Sequence, residues 1–297
     1  MNLSQKTKVA AIQMVSGMNV DENLSVMSRL VERSAGSGAE LILLPEYFSF
    51  MGKNDFDKLD LAELDISLDN CSKKTQIKNK VQYALSSIAK KSKVWIVGGT
   101  CSIKSNEREK IYNSMFVYND NGEKIVRYDK AHLFKFDNGS ESYDEALCSV
   151  AGNKAVSVET PAGNTFLAVC YDLRFPEFFR RENVFDKPLD LILISAAFTR
   201  TTGKAHWEIL LRARAIENQC YVLASAQGGN HDSGRNTWGH SMFVSPWGDI
   251  IDECELGNNI IYGTLDKSYL DETRKNLPAL EHQRLDIRKE WNVKKQR

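Results

Sequence analysis

The segment Phe166-Leu167-Ala168-Val169 is an apolar run with strand character. It breaks off at Cys170-Tyr171-Asp172-Leu173-Arg174-Phe175, before Pro176, a residue suited to the first turn of a helix. Cys170 therefore falls at a strand-to-helix corner, where a side chain is presented to a cleft and backbone N–H groups lack partners. Donors at such a corner favour a thiolate and the oxyanion it creates. On this stretch alone, Cys170 is either a packed core thiol or a nucleophile, and its partners must come from elsewhere in the chain.

The chain upstream repeats the pattern. Val9–Val15 reads as a buried strand, and Leu24, Met27, Leu30 and Val31 give Asp21–Ala35 a helical spacing that Gly36 and Gly38 end. Leu41–Leu44 is a second buried strand running directly into Pro45-Glu46, a carboxylate that is either a helix-start residue or a catalytic acid/base. Lys53–Lys74 reads as a polar surface excursion with a short helix, Thr75–Lys91 as one helix and Val94–Gly98 as a strand. A hairpin is expected over Ile111–Tyr118 and Lys124–Tyr128, turning at Asn119-Asp120-Asn121-Gly122. It delivers Lys130, in isolation a surface charge or a site cation, and His132, a structural histidine. Phe136–Val150 reads as irregular and polar, and it carries Glu145 in a loop.

Downstream of the corner, a helix is expected over Pro176–Asn183 and a strand over Leu189–Ser195. A Thr-rich loop (Ala196–Lys204) precedes a helix over His206–Asn218 and a strand over Cys220–Ala226. Gly228–Gly239 is a loop. His240–Ser245, Ile250–Cys254 and Ile260–Asp266 read as an antiparallel finish, before a helix over Lys267–Lys275 and an extended tail over 277–297. Alternating elements with hairpins suit two sheets packed face to face with helices outside. No G-x-G-x-x-G or Walker loop occurs.

Composition narrows the function. Lys plus Arg and Asp plus Glu stand at 39 each, so no global charge points to nucleic acid or an anionic membrane, and Lys294–Arg297 reads as a solvated tail. No run approaches the ~18 apolar residues that span a bilayer, and Val9–Val15 lacks the flanks of a signal peptide. The six cysteines (71, 101, 148, 170, 220 and 254) form no C-x-x-C pair, which suggests neither a zinc site nor a disulfide framework. The expectation is one domain over 1–297, soluble and cytosolic, with reduced core thiols.

Three segments together carry a resemblance: Leu44-Pro45-Glu46, Tyr128-Asp129-Lys130-Ala131-His132-Leu133-Phe134, and Val169-Cys170-Tyr171-Asp172-Leu173-Arg174-Phe175-Pro176-Glu177. In order and spacing they resemble the three catalytic signatures of the nitrilase superfamily of carbon–nitrogen hydrolases, over about Val9 to Asp286. Ser195–Phe198, Ala205–Glu217, Gln219–Val222, Gly239–Gly248 and the Leu277-Pro278…Arg284 tail resemble its Nit branch, whose amidases act on deaminated glutathione. The resemblance implies an α/β fold, the four-layer αββα sandwich of that superfamily.

It also implies a chemistry. Glu46 would take the proton of Cys170 as the thiol attacks an amide carbon, and would return it to the leaving amine. Lys130 and the backbone N–H of Tyr171 would hold the oxyanion, and Glu145, in a stretch similar to the branch's second-glutamate loop, would orient Lys130 and the substrate. No metal or organic cofactor is called for. Arg174 is either a structural salt-bridge partner or a carboxylate clamp. The Phe198-Thr199-Arg200-Thr201-Thr202 stretch is either a plain loop or one that hydrogen-bonds a 2-oxo acid. Arg212 and Arg214, two apart on a helix, cannot face one partner together, so one is expected in a subunit contact. The implied reaction is hydrolysis of deaminated glutathione to 2-oxoglutarate and cysteinylglycine. An ω-amidase acting on 2-oxoglutaramate, or on another small carboxylated amide or carbamoyl substrate, and a non-catalytic Nit-like scaffold are the alternatives. The partners expected are a small carboxylated amide and further copies of the chain, as a homodimer or larger, with no nucleic acid and no membrane.

Overall fold

The computed structural model describes residues 6–66, 72–180 and 187–283. Cys71, the end of the helix expected over Pro176–Asn183, Arg284 and the basic Lys294–Arg297 tail lie outside those residues. The first half runs β1 (Lys6–Gln13), α1 (Val20–Gly36), β2 (Leu41–Leu43), α2 (Lys73–Lys78), α3 (Lys80–Ser92), β3 (Trp95–Val97), β4 (Cys101–Lys104), β5 (Ile111–Tyr118) and β6 (Lys124–Asp129). Then come β7 (Lys135–Asp137), β8 (Ser142–Asp144), β9 (Ser157–Thr160), β10 (Gly163–Val169), α4 (Pro176–Phe179) and β11 (Leu191–Ala196). The chain continues through α5 (Arg200–Asn218), β12 (Tyr221–Ala226), β13 (Met242–Val244), β14 (Ile250–Glu253), β15 (Asn259–Asp266) and α6 (Lys267–Asn276).

Two large sheets form among the described residues, beside a two-stranded ribbon of β7 and β8. One has the order β15-β1-β2-β3-β5-β4 with β6 on β5, and the other β14-β13-β12-β11-β10-β9. Each has three parallel central strands, with registers such as Ala10↔Ile42↔Ile96 and Phe166↔Ile192↔Val222, flanked by antiparallel ones. The period-2 alternation of strands sorts the apolar residues into layers. Val9, Ala11, Leu41, Leu43, Val97, Met115 and Val117 face the second sheet. Ala10, Ile12, Ile42, Ile96 and Phe116 face α1 and α3. Trp207, Leu211 and Ala215 lay α5 over the outer face of the second sheet, completing the αββα order. Buried hydroxyls tie the sheets: Ser195 Oγ donates to Leu44 O (2.7 Å) and Ser225 Oγ to Ile12 O (2.5 Å).

Several boundaries differ from the sequence reading, each for a tertiary reason. The single helix expected over Thr75–Lys91 is two, broken at Asn79. The carboxylate of Glu63, buried and distant in sequence, accepts from the Val81 and Gln82 amides (2.6 and 3.2 Å) and so starts α3 anew. The stretch containing Glu63 and Lys58, read as surface, buries both side chains to 5 % and 4 % exposure. The Thr-rich loop is instead the start of α5: Thr199 caps it by accepting from the Thr202 amide (3.2 Å). Gly203 on its first turn lies against the Trp238 ring, where a Cβ would approach Trp238 to 2.3 Å. The irregular Phe136–Val150 stretch contains a hairpin, β7–β8, followed by a 3₁₀ turn over Glu145–Leu147. β4 and β9, four residues of pairing each, were not legible in the sequence. Of the arginine pair, Arg214 is buried on Glu217 (2.8 Å) and Leu173 O (2.7 Å), and the more exposed Arg212 donates to Gly248 O (2.8 Å) and Glu208 (3.0 Å). Cys101, Cys148, Cys220 and Cys254 are core thiols, as expected.

Candidate active site

Four polar side chains meet where strands end. Glu46 follows β2 through Pro45 and is 1 % exposed, while its carbonyl accepts from Gln227 Nε2 (3.0 Å). Lys130 follows β6, its N–H donating to Asn113 O on β5 (3.0 Å). Glu145 opens the 3₁₀ turn after β8. Cys170 follows β10 directly, opening a 3₁₀ turn with φ 49°, in the left-handed region that costs a Cβ-bearing residue about 1–3 kcal/mol. Tyr47, next to Glu46, is held similarly, at φ 58°.

Lys130 Nζ bridges the two carboxylates, 2.9 Å from Glu46 Oε1 and 2.7 Å from Glu145 Oε2. Asn113 Nδ2 supports both, at 2.9 Å from Glu46 Oε1 and 3.2 Å from Glu145 Oε1. Tyr47 donates to Glu145 Oε1 (3.1 Å) and accepts from the buried Lys58 Nζ (3.2 Å). Burial pulls the Lys130 ammonium down, but Glu145 and then Glu46 outweigh it, so its pKa lies well above the usual lysine range. Burial likewise pushes Glu145 up, and Lys130 and Lys58 bring it below the usual carboxylate range. Both therefore stay charged at neutral pH.

The corner by itself favours a thiolate at Cys170, but the surroundings of the thiol outweigh it. Burial first, then the Glu46 carboxylate, push Cys170 well above the usual thiol range, and Lys130 and a hydrogen bond from the Ala197 backbone only partly oppose them. The resting group is a neutral thiol beside the Glu46 carboxylate. Such a thiol needs a base at the moment of attack.

Asp172 sets the two halves of the site in register. Fully buried, it accepts from Val169 N (2.8 Å) and Tyr128 Oη (2.6 Å) on Oδ2. On Oδ1 it meets His132 N (3.1 Å) and Nδ1 (2.7 Å). Val169 precedes Cys170, and Tyr128 and His132 flank Lys130, so one carboxylate joins the two segments. His132, stacked on Phe175 with centroids 3.8 Å apart, is the structural histidine expected.

Cys170 opens on two adjoining hollows. One is lined by Glu46, Lys130, Glu145, Tyr143, Asp55 and Arg235. The other is lined by Phe134, Tyr171, Arg174, Phe198, Thr199 and Thr202. Arg174 makes no salt bridge among the described residues. Its guanidinium lies 5.2 Å from the Phe198 ring centre, with Nη1 3.2 Å from His206 Nδ1. Thr201 lines neither hollow; it is exposed and donates to Glu141 Oε1 (3.1 Å). The sequence reading gave no role to Tyr47 or Ala197, although each lies in or beside a segment it used, and it had no signal for Asn113, Lys58, Asp55 or Arg235, which lie in segments without a motif of their own. A roomier pocket lies on the far side of Tyr47, between Glu63, Cys101 and Val81, and holds none of the four site side chains. Among the described residues, no cluster of three or more His, Cys, Asp or Glu side chains has metal-binding geometry, and no helix is long and apolar enough to cross a membrane.

Known proteins share this arrangement of elements. The carbon-nitrogen hydrolase family profile matches residues 8–275. Deaminated glutathione amidase of Synechocystis is 36% identical over 277 residues, covering 92% of this chain and 96% of that protein. The nitrilase and fragile histidine triad fusion protein NitFhit of Caenorhabditis elegans is 34% identical over 284 residues, 94% of this chain. This chain spans only 61% of the fusion protein's length. The NitFhit crystal structure superposes with a TM-score of 0.83 at 33% identity, over 94% of this chain and 65% of that one. Saccharomyces cerevisiae Nit3, a member of branch 10 of the nitrilase superfamily, superposes with a TM-score of 0.81 at 30% identity, over 95% and 98% of the two chains. The chain belongs to the carbon–nitrogen hydrolase family, in the Nit branch of the nitrilase superfamily, and is a hydrolase of carbon–nitrogen bonds other than peptide bonds.

Proposed function

We propose that this chain is an amidase that hydrolyses deaminated glutathione to 2-oxoglutarate and cysteinylglycine, through a thioester on Cys170. The observation that carries the reaction class is one buried ammonium, Lys130, bridging two buried carboxylates beside a neutral thiol. The substrate rests on the Synechocystis relative of that name.

Glu46 takes the Sγ proton as sulfur attacks the amide carbon. The carbonyl electrons move onto oxygen, which Lys130 Nζ and the Tyr171 N–H hold, donors of a kind worth roughly 3 kcal/mol each. As the oxyanion collapses the C–N bond breaks, and Glu46 gives its proton to the departing amine. Water then gives a proton to Glu46 and attacks the thioester. The second intermediate expels the sulfur, which recovers the proton. Glu145 keeps Lys130 charged and pointed, the role its 2.7 Å contact supports. Arg174, Phe198, Thr199 and Thr202 line the hollow where the rest of the substrate would lie. Thr201 faces away and is left out of this role.

The same reading takes residues 1–297 as one hydrolase domain working in the cytoplasm as a homodimer or larger. Support for assembly comes from Ile209 and Ile216 on α5 and the nearby Trp247, which are 69%, 49% and 56% exposed. The test is product release from deaminated glutathione and from 2-oxoglutaramate side by side, with Cys170→Ala as control. A large kcat/KM preference for deaminated glutathione, lost in the variant, supports the proposal. Preference for 2-oxoglutaramate moves the chain to an ω-amidase with the same mechanism. Turnover of neither, with Cys170 inert to iodoacetamide, leaves a binding scaffold.

A further inference from the structure

Beyond Glu46, Lys130 and Glu145 around Cys170, the hollow they line has a second charged cluster on its wall. Asp55, on a short 3₁₀ turn capped by Asn54, accepts from Lys58 Nζ (3.3 Å) and Arg235 Nη2 (2.7 Å). Two cations thus share one carboxylate, a local excess of one positive charge. Around Lys130 the balance is opposite, with two carboxylates on one ammonium. The hollow is therefore polarised, negative at the reacting end and positive at the Asp55 wall.

Arg235 reaches that wall with part of its hydrogen-bonding capacity unused. Its loop is built, not loose: His231 N donates to Arg235 O (2.9 Å), and Arg200 N at the start of α5 donates to Asn236 O (3.3 Å). The guanidinium lies 5.9 Å from the Tyr143 ring centre. Nη2 alone has a hydrogen-bond partner among the described residues, and Nε is buried without one. A guanidinium brought to a cleft wall and left part-satisfied is an unusual expense for structure, and its natural complement is an oxyanion.

We propose that Arg235, held by Asp55, binds a carboxylate of the amide substrate and so determines its specificity. The inference deepens the amidase reading and rests on it for the identity of the amide. The polarity of the hollow would orient the substrate: its carboxylate goes to the Arg235 wall, and its uncharged amide lies between Cys170 and Lys130.

The test reads the site without assuming the amide. Cys170 alkylation by iodoacetate and by iodoacetamide, reagents alike except for charge, is followed by mass spectrometry in wild type, Arg235→Gln and Arg235→Lys, with near-UV circular dichroism as the check on folding. The iodoacetate-to-iodoacetamide rate ratio is expected to fall about tenfold in Arg235→Gln. In Arg235→Lys, whose single ammonium Asp55 takes up, it is expected to fall at least threefold. If the glutamine variant does not fold, the lysine variant decides. The kcat/KM ratio of 2-oxoglutaramate to butyramide should fall in parallel. An unchanged reagent ratio, or equal slowing with both reagents, would overturn the proposal and make Arg235 a support for Asp55, Lys58 and Tyr47. Charge selectivity at Cys170 that falls in Arg235→Gln, in a protein that turns over no amide, would refute the substrate reading and leave carboxylate binding by Arg235 standing.

Discussion

Asp172→Asn tests how the site is held together, because it keeps the shape of the side chain and changes only what it accepts. In the native protein both carboxylate oxygens meet donors: Val169 N and Tyr128 Oη on one, His132 N and Nδ1 on the other. An amide has one acceptor oxygen and one donor nitrogen. Whichever way it is turned, its NH₂ faces either the Val169 or the His132 backbone N–H, neither of which can reverse its role. An unsatisfied buried donor costs about 1–3 kcal/mol, and exchanging a charged for a neutral acceptor weakens the remaining bonds by some 0.5–1 kcal/mol each. Relief of a buried charge offsets part of this, which leaves roughly 3 kcal/mol. For 297 residues the unfolding entropy near the midpoint is about 0.6 kcal/mol/K, so Tm should fall by about 5 °C. Differential scanning calorimetry reads the shift, and kcat/KM measured well below the transition should fall as well, because the segments carrying Lys130 and Cys170 lose their common tie. A variant melting within 1 °C of wild type with full activity would refute the reasoning.

Two further outcomes follow from the charges. Glu145→Gln removes the largest influence that raises Lys130 against burial, so kcat/KM should drop about 10- to 100-fold, and the alkaline limb of its pH profile should move to lower pH; an unmoved limb would mean that Lys130 does not depend on Glu145. Asp55 is pushed up by burial, but Lys58 and Arg235 more than reverse this, to about 2 from 3.8. A depressed folded-state pKa stabilises above the unfolded value and loses that stability as pH falls through the folded one. Asp55→Asn should therefore cost about 2 kcal/mol at pH 7, and the deficit in urea unfolding should shrink between about pH 4 and pH 2, whereas a deficit constant with pH would count against the charge pairing.

Much of this protein was determined by local sequence. Apolar runs of strand length, alternating with amphipathic spacings, specify sheet and helix wherever the chain supplies its own pattern: Leu24, Met27 and Val31 on α1, Leu41–Leu43 on β2, Phe166–Val169 on β10. Their ends put Glu46, Lys130 and Cys170 at strand termini, and that was readable because each lies next to its own strand. Tertiary structure decided what those termini meet. Glu63 splits a helix from outside it, and Thr199 begins one that the Thr-rich composition disguises, since a cap is a hydrogen bond and not a periodicity. The charge state of the Cys170 thiol was beyond local reading, because burial and a carboxylate 124 positions away set it together. Asn113, Asp55 and Arg235 have no neighbours in the sequence that announce them. They enter the site only because two sheets close face to face, bringing the ends of separate strands and loops into one cleft of low polarisability, where a single misplaced charge costs more than the local pattern can show.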